Sequence, residues 1–130
     1  MILNLTLHPA THEQRAAGVV DLDGPRLERL RSILTFDACP MDTDVARASI
    51  LIVEIVWDWA EHDRPVAGSL RAMIGGPIFL VPALSSRLVL YGVQPVCAFL
   101  VHRSVELIQP DGSIQKVDVL RHAGFVSIPR

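Results

Sequence analysis

The sequence predicts a three-layer α/β domain with a mainly parallel sheet and a β-hairpin near its C-terminus. Short apolar runs alternate with segments of helical periodicity, as in a chain of β-α units. Residues 70–74 form a nearly unbroken apolar run, which is typical of a strand covered on both faces. Near the end, Asp111 and Gly112 separate two strand-like segments, which is a strong hairpin signal. These three observations define the fold class that we expect.

Composition indicates a single cytoplasmic domain over residues 1–130, of which 50% are hydrophobic. The mean hydropathy of +0.36 is high for a soluble monomer, so we expect part of the apolar surface to be buried against a partner. The formal net charge of −2 argues against general DNA or RNA binding, which needs a basic surface. Cys39 and Cys97 lack metal-ligand spacing and no signal peptide is visible, so we expect a reduced, cytoplasmic chain.

The N-terminal segment is predicted to form a strand and a short helix. Residues 2–7 alternate between two faces, and the His8-Pro pair ends the strand. Thr11, followed three residues later by Gln14, fits a capping box in which each side chain bonds the other residue's backbone N–H. A short helix is therefore expected over residues 11–17.

His8 is the first candidate functional residue. In an open α/β sheet, the loop after the first strand lies at the carboxyl edge, where such folds bind ligands. Thr6 lies at the same edge. The alternative is that His8 is an exposed loop residue in contact only with water. A metal pair of His8 and His12 is less favoured, because the predicted cap at Thr11 keeps the two rings off one helical face.

The middle of the chain predicts one short strand and two helices. Residues 18–22 are expected to form the strand, 23–33 a helix, and about 43–61 the longest helix. This helix is apolar around most of its circumference, so we expect the sheet on one side and a second subunit on the other. A membrane span is not expected, because Glu54 and Asp58 interrupt the apolar run.

The strand predicted over residues 70–74 ends at Gly75 and Gly76, and a helix follows. Pro77 suits the first turn of that helix, where a missing N–H costs nothing, and Pro82 should kink the helix or delay its start. Unpaired N–H groups at such a helix N-terminus favour an anionic ligand at the carboxyl edge of the sheet. The alternative is that the two glycines form only a tight turn.

The C-terminal third is predicted to contain a buried strand and the hairpin. Gly92 suits the end of the preceding helix, and residues 95–101 form the strand. We expect this strand to end at His102. Arg103 and Ser104 would then lie at the same edge as the glycine turn.

A homodimer is expected from the hairpin predicted over residues 104–120, which has no assigned sheet partner. An isolated two-stranded hairpin is marginally stable in water, so it needs a surface to pack on. In a two-fold dimer it would reach across and lay Arg121 and His122 over the partner's cleft. The alternative is that the hairpin folds back on its own sheet and that the apolar face of the longest helix is simply core.

Both ends of the chain, residues 5–14 and 102–125, resemble the small Rossmann-like proteins of type III CRISPR systems that are related to CARF domains. That group includes ring nucleases, which cut cyclic oligoadenylate messengers. The shared features are a histidine loop and a Thr-x-x-Gln helix start after the first strand, an arginine with a nearby glutamate at a late strand end, a DG hairpin, and an Arg-His pair before an aromatic residue. In this chain the features are His8, Thr11, Gln14, Arg103, Glu106, Asp111, Gly112, Arg121, His122 and Phe125.

The resemblance implies a Rossmann-like fold and cleavage of cyclic oligoadenylate, most favourably cyclic tetra-adenylate, which would switch off type III CRISPR signalling. It implies attack by a ribose 2′-hydroxyl without metal or cofactor. The catalytic residues it implies are His8, His122 and Arg103. The ligand-binding residues that we expect are Thr6, Thr11, Gln14, Gly75, Gly76, Ser104, Glu106 and Arg121.

The chemistry of these residues leaves two alternatives open. Cleavage without metal needs an aligned 2′-hydroxyl, charge stabilisation at the phosphate and, optionally, an acid or base that works near neutral pH. A non-catalytic sensor or sponge needs the same arginine and N–H groups but no alignment. A structural or adaptor homodimer needs no ligand, and its Arg–Glu and Arg–Asp pairs would be surface ion pairs worth about 0 to 1 kcal/mol each.

Overall fold

The order of strands and helices confirms the α/β class. The structure is a computed structural model that describes residues 1–63 and 70–129. Along these residues, strands and helices follow one another as nine elements. They are β1 (Ile2–Asn4), α1 (His12–Ala16), β2 (Val19–Asp21), α2 (Gly24–Leu34), α3 (Asp42–Asp63), β3 (Arg71–Met73), α4 (Val81–Leu90), β4 (Gln94–Ile108) and β5 (Ile114–Ser127).

The strands form one sheet in the order β2-β1-β3-β4-β5. The first four strands of this order are parallel, and β5 is antiparallel to β4. β3 lies in the middle of the sheet, as its apolar sequence predicts, and Ala72 and Met73 are almost completely buried. The mainly parallel sheet and the inner position of this strand are therefore confirmed.

The sheet buries side chains on both faces because neighbouring strand residues point in opposite directions. On one face, α2, α3 and α4 cover the larger core, which includes Leu3 and Ala72. On the other face, Ile2 and Met73 pack with Ala10, which lies just before α1. α1 belongs to this second face and contacts β2. The helices thus form layers on either side of the sheet.

α3 is flanked by helices of its own chain. It packs against α2 on one side and α4 on the other. The Nε atom of Arg26 in α2 donates to Asp58 Oδ2 at 2.7 Å, and the Trp57 ring meets the Tyr91 ring edge-on at 6.0 Å between centroids. α3 still exposes part of the Ile50 and Trp57 side chains, so a second subunit on this helix stays a prediction. No helix within residues 1–63 and 70–129 is long and apolar enough to span a membrane.

The connection between β3 and α4 differs from the prediction. The helix begins at Val81 rather than Pro77, after a turn in which the Leu80 N–H donates to the Pro77 carbonyl at 3.0 Å. This start places Pro82 in the first helical turn, where its missing N–H needs no partner, so the expected delay is confirmed. At the other end, Gly92 has a φ of 77°, as expected for a glycine just after a helix.

β4 and β5 form a longer hairpin than predicted. β4 continues through the expected end at His102, and it pairs with β5 as far as its last residue, Ile108. β3 pairs only with the first three residues of β4. Beyond those residues, β4 and β5 pair only with each other and form a two-stranded ribbon. We call the outer part of this ribbon, residues 102–120, the arm. The strand continues because β5 satisfies its backbone groups without a third strand. The turn contains Gly112 at φ 85°, as predicted.

Candidate functional site

A cavity of about 780 Å³ lies beside the carboxyl ends of β1 and β3. The chain leaves β1 toward α1 on one face of the sheet and leaves β3 toward α4 on the other. In a sheet of this strand order, the crevice between two such strands is the usual ligand site. Eight of the eleven predicted site residues line this cavity: Thr6, His8, Thr11, Gln14, Gly75, Gly76, Arg121 and His122.

The loop that carries His8 is held by the side chain of Asn4, which is 4% exposed at the end of β1. Its amide nitrogen donates to the His8 carbonyl and to Asp21 Oδ1, both at 2.8 Å. Its amide oxygen accepts from the backbone N–H and the hydroxyl of Thr6, at 2.9 and 2.7 Å. All four hydrogen-bonding positions of the amide are therefore used. These bonds end β1 at Asn4, earlier than predicted, and place His8 beside the cavity.

Asp21 anchors the next part of the same loop. Its carboxylate accepts from the Ala10 N–H at 3.1 Å, from the Asn4 amide and from Arg15 Nη2 at 3.0 Å. Burial by itself raises the pKa of Asp21, but the hydrogen bonds from Asn4, Ala10 and Arg15, together with the charge of Arg15, outweigh it and lower the pKa. The carboxylate therefore stays ionised and stabilises the loop.

The predicted capping box at α1 is confirmed. The Thr11 hydroxyl accepts from the Gln14 N–H at 3.1 Å, and Gln14 Oε1 accepts from the Thr11 N–H at 3.0 Å. Both residues line the cavity, but these bonds show that each also holds the start of the helix.

Gly75 and Gly76 line the cavity just after the end of β3. A Cβ atom on Gly75 would lie 3.4 Å from Cγ2 of Thr6, and Gly76 has a φ of 92°, a conformation that favours glycine. Within residues 1–63 and 70–129, no oxygen accepts from the backbone N–H groups of these two glycines. Both glycines line the cavity, but the helix N-terminus that the sequence predicts does not follow them directly, because α4 begins four residues after Pro77.

A β-bulge in β5 determines which residues of the hairpin line the cavity. Phe99 lies opposite Gly124, but Leu100 lies opposite His122, so Ala123 is an extra residue in β5. His122 therefore shares a face with Leu100, and both line the cavity. The His122 ring packs on Phe125 at 4.7 Å between centroids.

Glu13 joins α1 to the hairpin across this cavity. Arg121 Nη1 donates to Glu13 Oε1 at 3.2 Å, and the His122 backbone N–H donates to Glu13 Oε2 at 3.1 Å. The Arg121 and Glu13 side chains are 52% and 42% exposed, so ligands can reach the pair. Arg121 and His122 thus lie over the cavity of their own chain. The expectation that they cover a partner's cleft is wrong.

The structure separates three predicted residues from this cavity. Arg103, Ser104 and Glu106 lie on the exposed arm, opposite Val119, Asp118 and Lys116. They would lie at the sheet edge only if β4 ended at His102, and it does not. Arg103 therefore does not line the cavity, in contrast to Arg121.

Sequence reasoning missed three residues that build the site, namely Asn4, Glu13 and Asp21. A polar amide at an otherwise apolar strand end was the available signal for Asn4. Glu13 gave no comparable signal, because its contacts are 108 and 109 residues away in sequence.

The arrangement suits recognition of an anion together with proton transfer. Arginine and backbone N–H groups are common phosphate ligands, and histidine is the usual proton-transfer residue near neutral pH. Among the described residues, no group of three or more histidine, cysteine, aspartate or glutamate side chains is arranged to hold a metal ion.

Comparisons with known proteins place the chain in a family. A search of curated proteins and a search of solved structures found no match. A scan against family models found one that matches residues 1–126, nearly the whole chain. The chain therefore belongs to the Uncharacterized protein MJ1673 family.

Proposed function

We propose that this protein binds a cyclic oligoadenylate, most favourably cyclic tetra-adenylate, and cleaves it without a metal ion or cofactor. The observation that carries the proposal is that one cavity gathers His8, Gly75, Gly76, Arg121 and His122 from both ends and the middle of the chain. Two of the segments that resemble ring nucleases meet there, and the products would no longer signal in a type III CRISPR response.

Binding would use the donors that surround the cavity. The volume of about 780 Å³ lies within the range of about 300 to 1,000 Å³ that is usual for small-molecule sites. Arg121 and the N–H groups of the glycine pair would contact phosphates. Two such cavities related by a two-fold axis would suit a ring that itself has rotational symmetry, so the proposal includes a homodimer.

Cleavage would follow the ordinary chemistry of RNA transesterification. The ribose 2′-oxygen attacks the adjacent phosphorus, the bond from phosphorus to the 5′-oxygen breaks, and the products carry a 2′,3′-cyclic phosphate and a 5′-hydroxyl. His8 or His122 would take the proton from the 2′-hydroxyl, and the other would protonate the leaving oxygen. Arg121 would stabilise the charge that develops on the phosphate.

The test is incubation with labelled cyclic tetra-adenylate, with and without EDTA. Linear products with 2′,3′-cyclic phosphate ends in both samples would support the proposal. Retention of the intact ring without product would identify a sensor or sponge. Neither binding nor product would overturn both readings and leave a structural or adaptor protein.

Matched variants locate the site. Arg121→Ala should weaken binding, while Arg103→Ala, which removes an arginine on the arm, should not. His8→Ala should slow cleavage by about 10²-fold or more with a smaller effect on binding, and His102→Ala on the arm is its control. Full activity in both Arg121→Ala and His8→Ala would place the site elsewhere.

A further inference from the structure

Glu13 presents an electrostatic problem for an anion-binding cavity. Its carboxylate lines the cavity between the His8 loop and the hairpin, where it would repel a phosphate. It also pairs with Arg121, which is the cation best placed to bind that phosphate. A ligand phosphate and Glu13 would therefore compete for the same donors.

The contacts of Glu13 have the geometry of a phosphate site. Its two oxygens accept separately from a guanidinium N–H at 3.2 Å and from the backbone N–H of the next residue, His122, at 3.1 Å. Two oxygens of one phosphate accept from an arginine and a neighbouring backbone N–H in the same manner. The donors are arranged by the hairpin and its bulge, and the carboxylate comes from a different element, α1.

We propose that the Arg121 guanidinium and the His122 N–H form a phosphate subsite, and that Glu13 occupies it until a phosphate group displaces the carboxylate. The assignment of that phosphate to cyclic oligoadenylate rests on the proposed function. The subsite itself is defined by its two donors and takes a phosphate group from any ligand that fits the cavity.

Displacement of Glu13 needs little rearrangement. The carboxylate and the guanidinium are 42% and 52% exposed, and exposed ion pairs of this kind contribute little to stability. The capping box of α1 involves Thr11 and Gln14 but not the Glu13 side chain, so the helix start remains held when the carboxylate moves away. Glu13 can thus turn into water without unfolding α1.

The test compares Glu13→Gln with Glu28→Gln. Glu28 forms an exposed pair with Arg31 at 3.1 Å on α2, so the control removes the same charge and an equivalent contact away from the cavity. The probe is inorganic phosphate, and the readout is the amide nuclear magnetic resonance of His122 during titration. Glu13→Gln should bind phosphate about tenfold more tightly than wild type, Glu28→Gln should match wild type, and Arg121→Ala should lose the response.

A parallel titration with cyclic tetra-adenylate separates this inference from the proposed function. Tighter phosphate binding by Glu13→Gln without any binding of the ring would support the subsite and overturn the proposed ligand. Cleavage of the ring by wild type, with Glu13→Gln no tighter than Glu28→Gln, would overturn the inference alone. Weaker phosphate binding in Glu13→Gln, or no response of the His122 amide in any variant, would also overturn it.

Discussion

At the scale of single residues, two polar side chains hold the loop that carries His8, namely the buried Asn4 and the half-buried Asp21. Asn4 uses all four of its hydrogen-bonding positions, and three of its four bonds are made to the loop that carries His8. Asp21 ties Ala10 and Arg15 to the same region. A buried polar group is costly when unpaired, so such a fully bonded network also specifies one loop conformation.

Asp21→Asn should lower the free energy of unfolding by about 1 to 3 kcal/mol at pH 7, because an amide replaces an ionised acceptor of several hydrogen bonds. The pKa of Asp21 in the folded chain lies below the reference value of 3.8. Its contribution is therefore fully present above the unfolded-state pKa and is lost as the pH falls through the folded-state pKa. Urea denaturation of both proteins should give curves that converge below pH 3.8.

The matched control for this prediction is Asp118→Asn, which changes a carboxylate on the arm. Asp118→Asn should leave the free energy of unfolding nearly unchanged both at pH 7 and at low pH. An equal loss for Asp21→Asn at pH 7 and at low pH would show that the ionised form is not what stabilises the loop.

At the scale of elements, the turn after β3 connects the sheet to α4 and holds the glycine pair. Gly75 lies beside Thr6, and Gly76 supplies a positive φ. Their positions at the end of an apolar run identify a turn in the sequence. The length of that turn was mispredicted, because both Pro77 and Pro82 suit a first helical turn and only the packing of Leu80, Leu84 and Leu88 in the core selects the later start.

Gly76→Ala should lower the free energy of unfolding by about 1 to 2 kcal/mol, because a Cβ atom is strained at a φ of 92°. Gly75→Ala is the matched control. Its φ is not positive and its Cβ would meet Thr6 at an ordinary contact distance of 3.4 Å, so the loss should be smaller. Thermal unfolding of the two variants measures the difference, and a larger loss for Gly75→Ala would contradict the assignment of strain to Gly76.

At the scale of the whole molecule, the arm is the part of the described chain with the least support from the core. Its apolar residues Leu107, Ile108 and Ile114 are exposed, and Ile108 is 80% exposed. A two-stranded ribbon with an exposed apolar tip is typical of a surface that packs on a partner. A second copy of the chain on the arm remains our expectation.

Light scattering at micromolar concentration should therefore give twice the 14.3 kDa mass of one chain. Replacing both Ile108 and Ile114 with lysine should shift the mass toward that of a monomer, because the exposed apolar pair at the tip is removed. Ile78→Lys, which changes a side chain that is 86% exposed in the turn before α4, should not. A monomer mass for the unchanged chain would contradict the dimer.

The sequence by itself determined the features that depend on local interactions. The capping box at Thr11 and Gln14, the end of α4 at Gly92 and the hairpin turn at Gly112 each involve residues a few positions apart, so their residue types are sufficient to predict them. The apolar run around Ala72 identified the inner strand, because a strand buried on both faces has no polar alternation. From the order of such strands, His8 and the glycine pair could be placed at one edge.

The tertiary structure alone decided which residues of the C-terminal hairpin join that edge. Alternation along β4 does not show where the strand leaves the sheet, because pairing with β5 continues the same pattern beyond β3. The sequence therefore predicted Arg103 at this edge and Arg121 and His122 over a partner's cleft. The bulge opposite Leu100 and the bonds to Glu13 instead bring Arg121 and His122 to the cavity of their own chain and leave Arg103 on the arm. These contacts join residues more than one hundred positions apart, and only the packing of the sheet against α1 brings such residues together.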